Sequence, residues 1–138
     1  MEKPSSYFDW QLSYKQNPSE GLNRKINDIL KRYSDKKALY KTASLSNSSF
    51  NIEKLDFAEG ILECSIEAQD HNNYKILINT HKRTISHECR EFRELNIYRK
   101  KFCSHLLKLC FILQEKAPKK LLSFLEDINT YDYNFFPK

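Results

Sequence analysis

Apolar positions change their spacing several times along this chain, and each change marks an element. Leu22, Ile26, Ile29, Leu30 and Tyr33 recur at intervals of four, three, one and three. That spacing predicts one stripe of a helix running to about Tyr33 or Tyr40, with Ser19 after Pro18 as its cap and Glu20 near its positive end. The polar run ASLSNSSF, residues 43–50, ends the stripe in a loop or short strand. From Ile61 the period becomes two: Leu62, Cys64, Ile66 and Ala68 share one face, while Glu63, Ser65 and Glu67 take the other. This alternation predicts a half-buried strand. A turn over Asp70–Asn73 leads to a partner strand, Tyr74 to Thr80, with Tyr74, Ile76 and Ile78 inward. Thr84 to Cys89 reads as a third short strand, and residues 104–116 as a helix with Leu106, Leu109, Cys110 and Leu113 on one face. Pro118 interrupts, and Lys120 to Ile128 forms a last short helix.

The expected class is therefore α+β: an N-terminal helix, a small antiparallel sheet leading into a helix, and C-terminal helices. Four segments follow from the same pattern. Residues 1–18 form an aromatic arm, 19–59 a helix and connection, 60–116 the strand-and-helix unit, and 117–138 a short helix with an aromatic tail. The arm carries Tyr7, Phe8 and Trp10; the tail carries Tyr131, Tyr133, Phe135 and Phe136. Both read as anchors for a partner or as segments that dock within the chain.

Composition adds charge and chemistry to this frame. The net charge is +5, and it is uneven: residues 75–120 hold twelve basic and four acidic side chains, whereas 41–74 hold two and six. A concentrated basic stretch is the footprint of an acidic partner, nucleic acid above all. The longest apolar run is Leu109 to Leu113, too short to span a membrane, and MEKPSSYFDW has no apolar core of a secretory signal. An intracellular setting, cytoplasm with nucleoid or nucleus, is expected. There the four cysteines are reduced thiols or metal ligands rather than disulfides.

Two of those cysteines and two of the four histidines make tight pairs. His87-x-Cys89 ends a strand, Cys103-x-His105 opens a helix, and thirteen residues separate them. Residues two apart on a strand face one side, and zinc wants four nitrogen or sulfur donors in a tetrahedron. His87, Cys89, Cys103 and His105 complete such a set for Zn²⁺. Cys110 lies seven helical residues past Cys103, about 10.5 Å along the axis, and reads as core, as does Cys64 on its strand's apolar face. His71 falls in a turn, where a solvated histidine is the plain reading, and His81 stands as the substitute fourth ligand. A catalytic zinc keeps one position for water, and neither H-E-x-x-H nor the deaminase pattern occurs, so the expected metal is structural and the protein is not an enzyme.

The paired ligands and their flanks resemble a SWIM-type zinc finger, whose pattern is C-x-C, a variable spacer, then C-x-H opening an apolar helix. Cys89, Cys103 and His105 match its last three ligands, and Phe92 matches the aromatic that follows its C-x-C. Leu106-Leu107 is similar to the start of its helix, Tyr74-Lys75-Ile76 to its Y-x-V strand, and Gly60 to its preceding turn. The resemblance covers residues 60 to 113. His87 stands where the family has its first cysteine, and imidazole is itself a competent zinc ligand.

The resemblance implies a short ββα finger and a role in DNA binding or protein–protein interaction. Its stand-alone members pair with recombinase paralogues in recombination and repair. Lys82, Arg83, Arg90, Arg93, Arg99, Lys100 and Lys101 would then neutralise phosphates, of DNA more readily than RNA. Phe92, Tyr98 and Phe102 would stack on bases or pack behind the metal. An adaptor role within a larger complex is the other function these residues allow.

Overall fold

The computed structural model of the chain describes residues 20–67, 72–97 and 99–137. The arm, Ser19, Ala68, His71 and Tyr98 lie outside the described residues.

The first apolar stripe forms helix α1, Glu20–Tyr33, with Ile26 and Leu30 fully buried and Leu22 and Tyr33 packed against the core. The helix does not continue to Tyr40. Asp35 restarts the chain instead, its Oδ2 accepting the amides of Lys37 (3.2 Å) and Ala38 (3.3 Å) to cap α2, Lys36–Lys41. Two 3₁₀ turns, Thr42–Ser44 and Asn47–Ser49, carry the chain into a strand absent from the sequence reading, β1, Phe50–Asp56. Its alternation is broken by a register shift between Ile52 and Lys54, which hides the period-two signal.

The next strands follow their patterns. β2 (Ile61–Glu67) turns Leu62, Cys64 and Ile66 inward, and β3 (Asn73–Asn79) does the same with Ile76 and Ile78. β4 is shorter than expected, Thr84–His87, because Cys89 has become the cap of a small helix, α3, Arg90–Leu95. The basic segment between the ligand pairs is thus helical in its first half. Helix α4, Ser104–Lys116, matches its expected bounds, but it packs against α1, α2 and α5 and buries residues all round. Leu107, Phe111, Ile112 and Gln114 join the expected face in its interior.

Helix α5 runs Pro118–Thr130, longer than the pattern suggested at both ends. Pro118 begins it rather than interrupting one, since a first-turn proline has no amide to lose. The tail docks within the chain. Tyr133 is 1% exposed, and β5 (Asn134–Pro137) pairs with β4, with the Asn134 amide donating to the Arg83 carbonyl at 2.9 Å. Phe135 stacks on Phe92 at 5.9 Å with planes 3° apart.

The sheet order is β1-β2-β3-β4-β5, antiparallel except for the parallel β4–β5 pair, so the small antiparallel sheet of the sequence reading is a mixed five-stranded one. One core draws on α1, β2, β3, β4, α4, α5 and Tyr133 together. β4, which delivers His87, is flanked on both sides and cannot fray at an edge. Among the described residues no helix is long and apolar enough to cross a membrane.

Candidate metal centre

His87 is the last residue of β4, held in register opposite Ile76. The backbone stays extended through Cys89 (φ −151°, ψ 150°), so the two side chains face the same way, as a strand's alternation requires. Cys89 caps α3, its sulfur accepting the Phe92 amide at 3.2 Å. Cys103 is the cap residue of α4, and His105 lies in that helix's first turn. Two helix starts therefore aim their positive ends at the two sulfurs, which favours thiolate.

The donor atoms of His87, Cys89, Cys103 and His105 all lie within 4.8 Å of one another and can hold a metal ion. His87 and Cys103 are fully buried, Cys89 is nearly so, and His105 is half-buried. His87 Nε2 and His105 Nδ1 stand 3.3 Å apart. Two imidazoles bound tetrahedrally at about 2.0–2.1 Å would stand about 3.3–3.4 Å apart. His87 Nδ1 lies 2.8 Å from the Lys75 carbonyl oxygen. A carbonyl only accepts, so Nδ1 carries the proton and the Nε2 lone pair points into the centre. Tyr74 stacks on His105 at 5.4 Å, and Phe92 meets His87 edge-on at 5.5 Å.

The two thiols respond oppositely to this setting. The Cys103 thiol, hydrogen bonding to Cys89, holds the Cys89 sulfur far below its ordinary pKa, with help from His105 and His87 and against desolvation. Burial, followed by that same Cys89 contact, pushes Cys103 well above its own. The pair shares one proton, because two bare thiolates side by side repel. A dication removes that conflict: with two thiolates and two neutral imidazoles its net charge is zero, which suits a buried site.

The other sulfurs behave as core. Burial raises both Cys64 and Cys110 to about 12. His81 sits exposed in the β3–β4 turn against Gly60 and is not in the donor group. Thiol labelling of the metal-loaded protein at pH 8 should therefore give almost no reaction. After chelation Cys89 should react first, and Cys64 and Cys110 only on unfolding. Prompt labelling of all four thiols in the folded protein would contradict the placement.

Residues outside the expected set hold the frame rigid. Glu91 Oε1 accepts both the amide (2.6 Å) and the hydroxyl (2.7 Å) of Ser104, while its Oε2 pairs with Lys41 at 3.0 Å. Glu91 thus satisfies the first amide of α4 from α3 and ties the two ligand-bearing helix starts together. Asn96 donates to the Phe92 and Lys101 carbonyls and accepts the Lys101 amide at 2.8 Å, closing the segment between them.

The seven basic candidates fall into three places. Arg90 and Arg93 stand on α3 beside the centre and line a groove of about 360 Å³ with Tyr74 and Cys89. Arg99, Lys100 and Lys101 cover the ends of α1 and α5, where they meet Asp35, Asp132 and the Arg32 carbonyl respectively. Lys82 and Arg83 lie in the β3–β4 turn, at the far end of the sheet. Arg90 also pairs with Glu94 at 2.9 Å, and the Arg83 guanidinium lies 3.9 Å over the Tyr131 ring. Phe92 and Phe102 are fully buried, which removes them as base-stacking residues; Phe92 packs behind His87, and Phe102 packs against Tyr33 and Phe135.

No family profile, no curated protein and no solved structure matches this chain.

Proposed function

We propose that this chain is a non-catalytic zinc protein of SWIM-finger type that binds nucleic acid, DNA in preference to RNA, as a subunit of a complex working in recombination or repair. The observation carrying the reading is the closed two-histidine, two-cysteine donor group with its 3.3 Å histidine edge. Mixed nitrogen and sulfur ligands suit zinc and disfavour magnesium and calcium, which take oxygen. Four protein donors leave no position for water, so the metal's role is to clamp β4 to α4, not to activate a nucleophile.

The nucleic-acid half rests on charge. Arg90, Arg93, Arg99, Lys100 and Lys101 follow one another through the segment between the ligand pairs, while Lys82 and Arg83 add a separate basic spot at the far end of the sheet. The ion pairs that Arg90, Arg99 and Lys100 make lie at the surface, where solvent and salt screen them, so phosphates displace them at little cost. Binding of a labelled DNA duplex should weaken linearly in log K against log salt, with a slope of about −0.9 per phosphate neutralised. Replacing Arg99 and Lys100 by glutamate should flatten that slope while leaving the metal bound. A protein that keeps its metal and ignores DNA at low salt would overturn this half of the proposal. In that case the adaptor reading takes over, to which exposed Tyr40, Ile97 and Phe136 offer contact surface.

A further inference from the structure

At the end of the sheet away from the metal centre, the β1–β2 turn and the last turns of α5 enclose a cleft of about 280 Å³. Phe57 forms one wall. It is 40% exposed yet anchored, its ring meeting buried Phe124 edge-on at 5.2 Å. Tyr131 forms another, 44% exposed, its amide donating to the Asp127 carbonyl at 3.0 Å. Ser123, Glu126, Asp127 and Thr130 follow at helical spacing and supply the floor.

The floor is acidic although the chain's net charge is +5. Glu126 is exposed and has no side-chain ion pair or hydrogen bond among the described residues. Asp127 is oriented by the hydroxyl of buried Tyr133, which donates to its Oδ2. Two aromatic walls over two carboxylates repel a phosphate and attract a cation with an apolar stem. The Tyr131 ring already holds one cation, the Arg83 guanidinium, 3.9 Å from its centroid, and Arg83 is not among the residues lining the cleft.

We infer that this cleft docks a protein partner by taking one of its lysine or arginine side chains between Phe57 and Tyr131, with the charged head on the Glu126 and Asp127 carboxylates. The stem buries against the rings, and the head pairs where the rim is still wet. His87 stands three residues along β4 from the turn end, about 10 Å away, so the partner and the metal occupy opposite ends of one sheet.

The test uses the full metal-loaded chain, isotope-labelled, and NMR titration with three capped tripeptides, Gly-Lys-Gly, Gly-Arg-Gly and Gly-norleucine-Gly, and with a short oligothymidine. Saturable shifts of the Phe57, Tyr131 and Glu126 signals with the lysine or arginine peptide, and not with the norleucine one, are expected. Glu126→Gln should weaken them by up to about fivefold, and Tyr131→Leu should weaken them too. Both side chains are exposed, so the native spectrum is retained in either variant. The inference is overturned if the norleucine peptide shifts the same signals equally, if no peptide does, or if only the oligothymidine does.

Discussion

Cys103→Ser is expected to abolish stoichiometric metal binding while leaving the secondary structure in place. Cys103 is fully buried at the start of α4, and its sulfur is one of four donors within 4.8 Å of one another. A serine hydroxyl stays protonated at neutral pH and makes a poor zinc ligand. Loss of a partner one shell further out already costs about 10–100-fold in affinity, so loss of the ligand itself should exceed that. The substitution is clean because serine is a preferred helix cap, so α4 keeps its start. The core spanning α1, the sheet, α4 and α5 is apolar and extensive, so metal adds to the fold instead of replacing a core. Thermal melts with and without chelator check this. Wild type should lose several degrees on chelation, down to the variant's midpoint, and the variant should not respond.

Phe102→Ala should cost about 3–5 kcal/mol, a large part of the about 5–15 kcal/mol that holds a domain together. The Phe102 ring is fully buried, stacked on Tyr33 at 4.9 Å and close to Phe135 at 5.9 Å. Its amide donates to the Tyr33 carbonyl at 2.8 Å, so one residue joins the end of α1, the segment before Cys103 and the tail. Truncation leaves a cavity where three elements meet, and the fully buried surroundings have little room to relax into it. Urea unfolding measures the loss. A base-stacking phenylalanine would behave in the opposite way, losing nucleic-acid affinity at almost no cost in stability.

Much of this arrangement was legible in the residues. Leu62, Cys64 and Ile66 alternate cleanly against polar neighbours, and β2 lies where they put it. The two ligand pairs were visible as pairs because each sits at a junction where backbone direction is simple: an extended exit from β4 and the first turn of α4. Elsewhere local pattern and tertiary context diverged. β1 was hidden by its register shift at Ile52/Lys54. Helix α3 was hidden because its six residues, REFREL, bury only Phe92 and so carry no stripe. The tail's YDYNFFPK has no period; it becomes a strand because β4 offers it an edge and Phe92 a stacking face. Glu91 and Asn96 had no sequence signal, since each acts on a neighbour chosen by the fold: Ser104 across the ligand pairs, and Lys101 across the closed segment.

The charge pattern was legible only as a total. Residues 75–120 are basic, but the fold distributes the seven basic candidates between the flank of the metal centre, the ends of α1 and α5, and the β3–β4 turn. The acidic cleft beside Tyr131 was invisible for the same reason, because Phe57 and Glu126 are far apart in the chain.

X-ray absorption at the zinc edge, on protein purified without added metal and carrying one ion per chain, tests the central claim most directly. The account predicts two sulfur neighbours at about 2.3 Å and two nitrogen neighbours at about 2.0–2.1 Å, with one nitrogen lost in His87→Ala. A protein that purifies without stoichiometric metal, or a first shell of oxygen that ignores His87→Ala and Cys103→Ser, would contradict it.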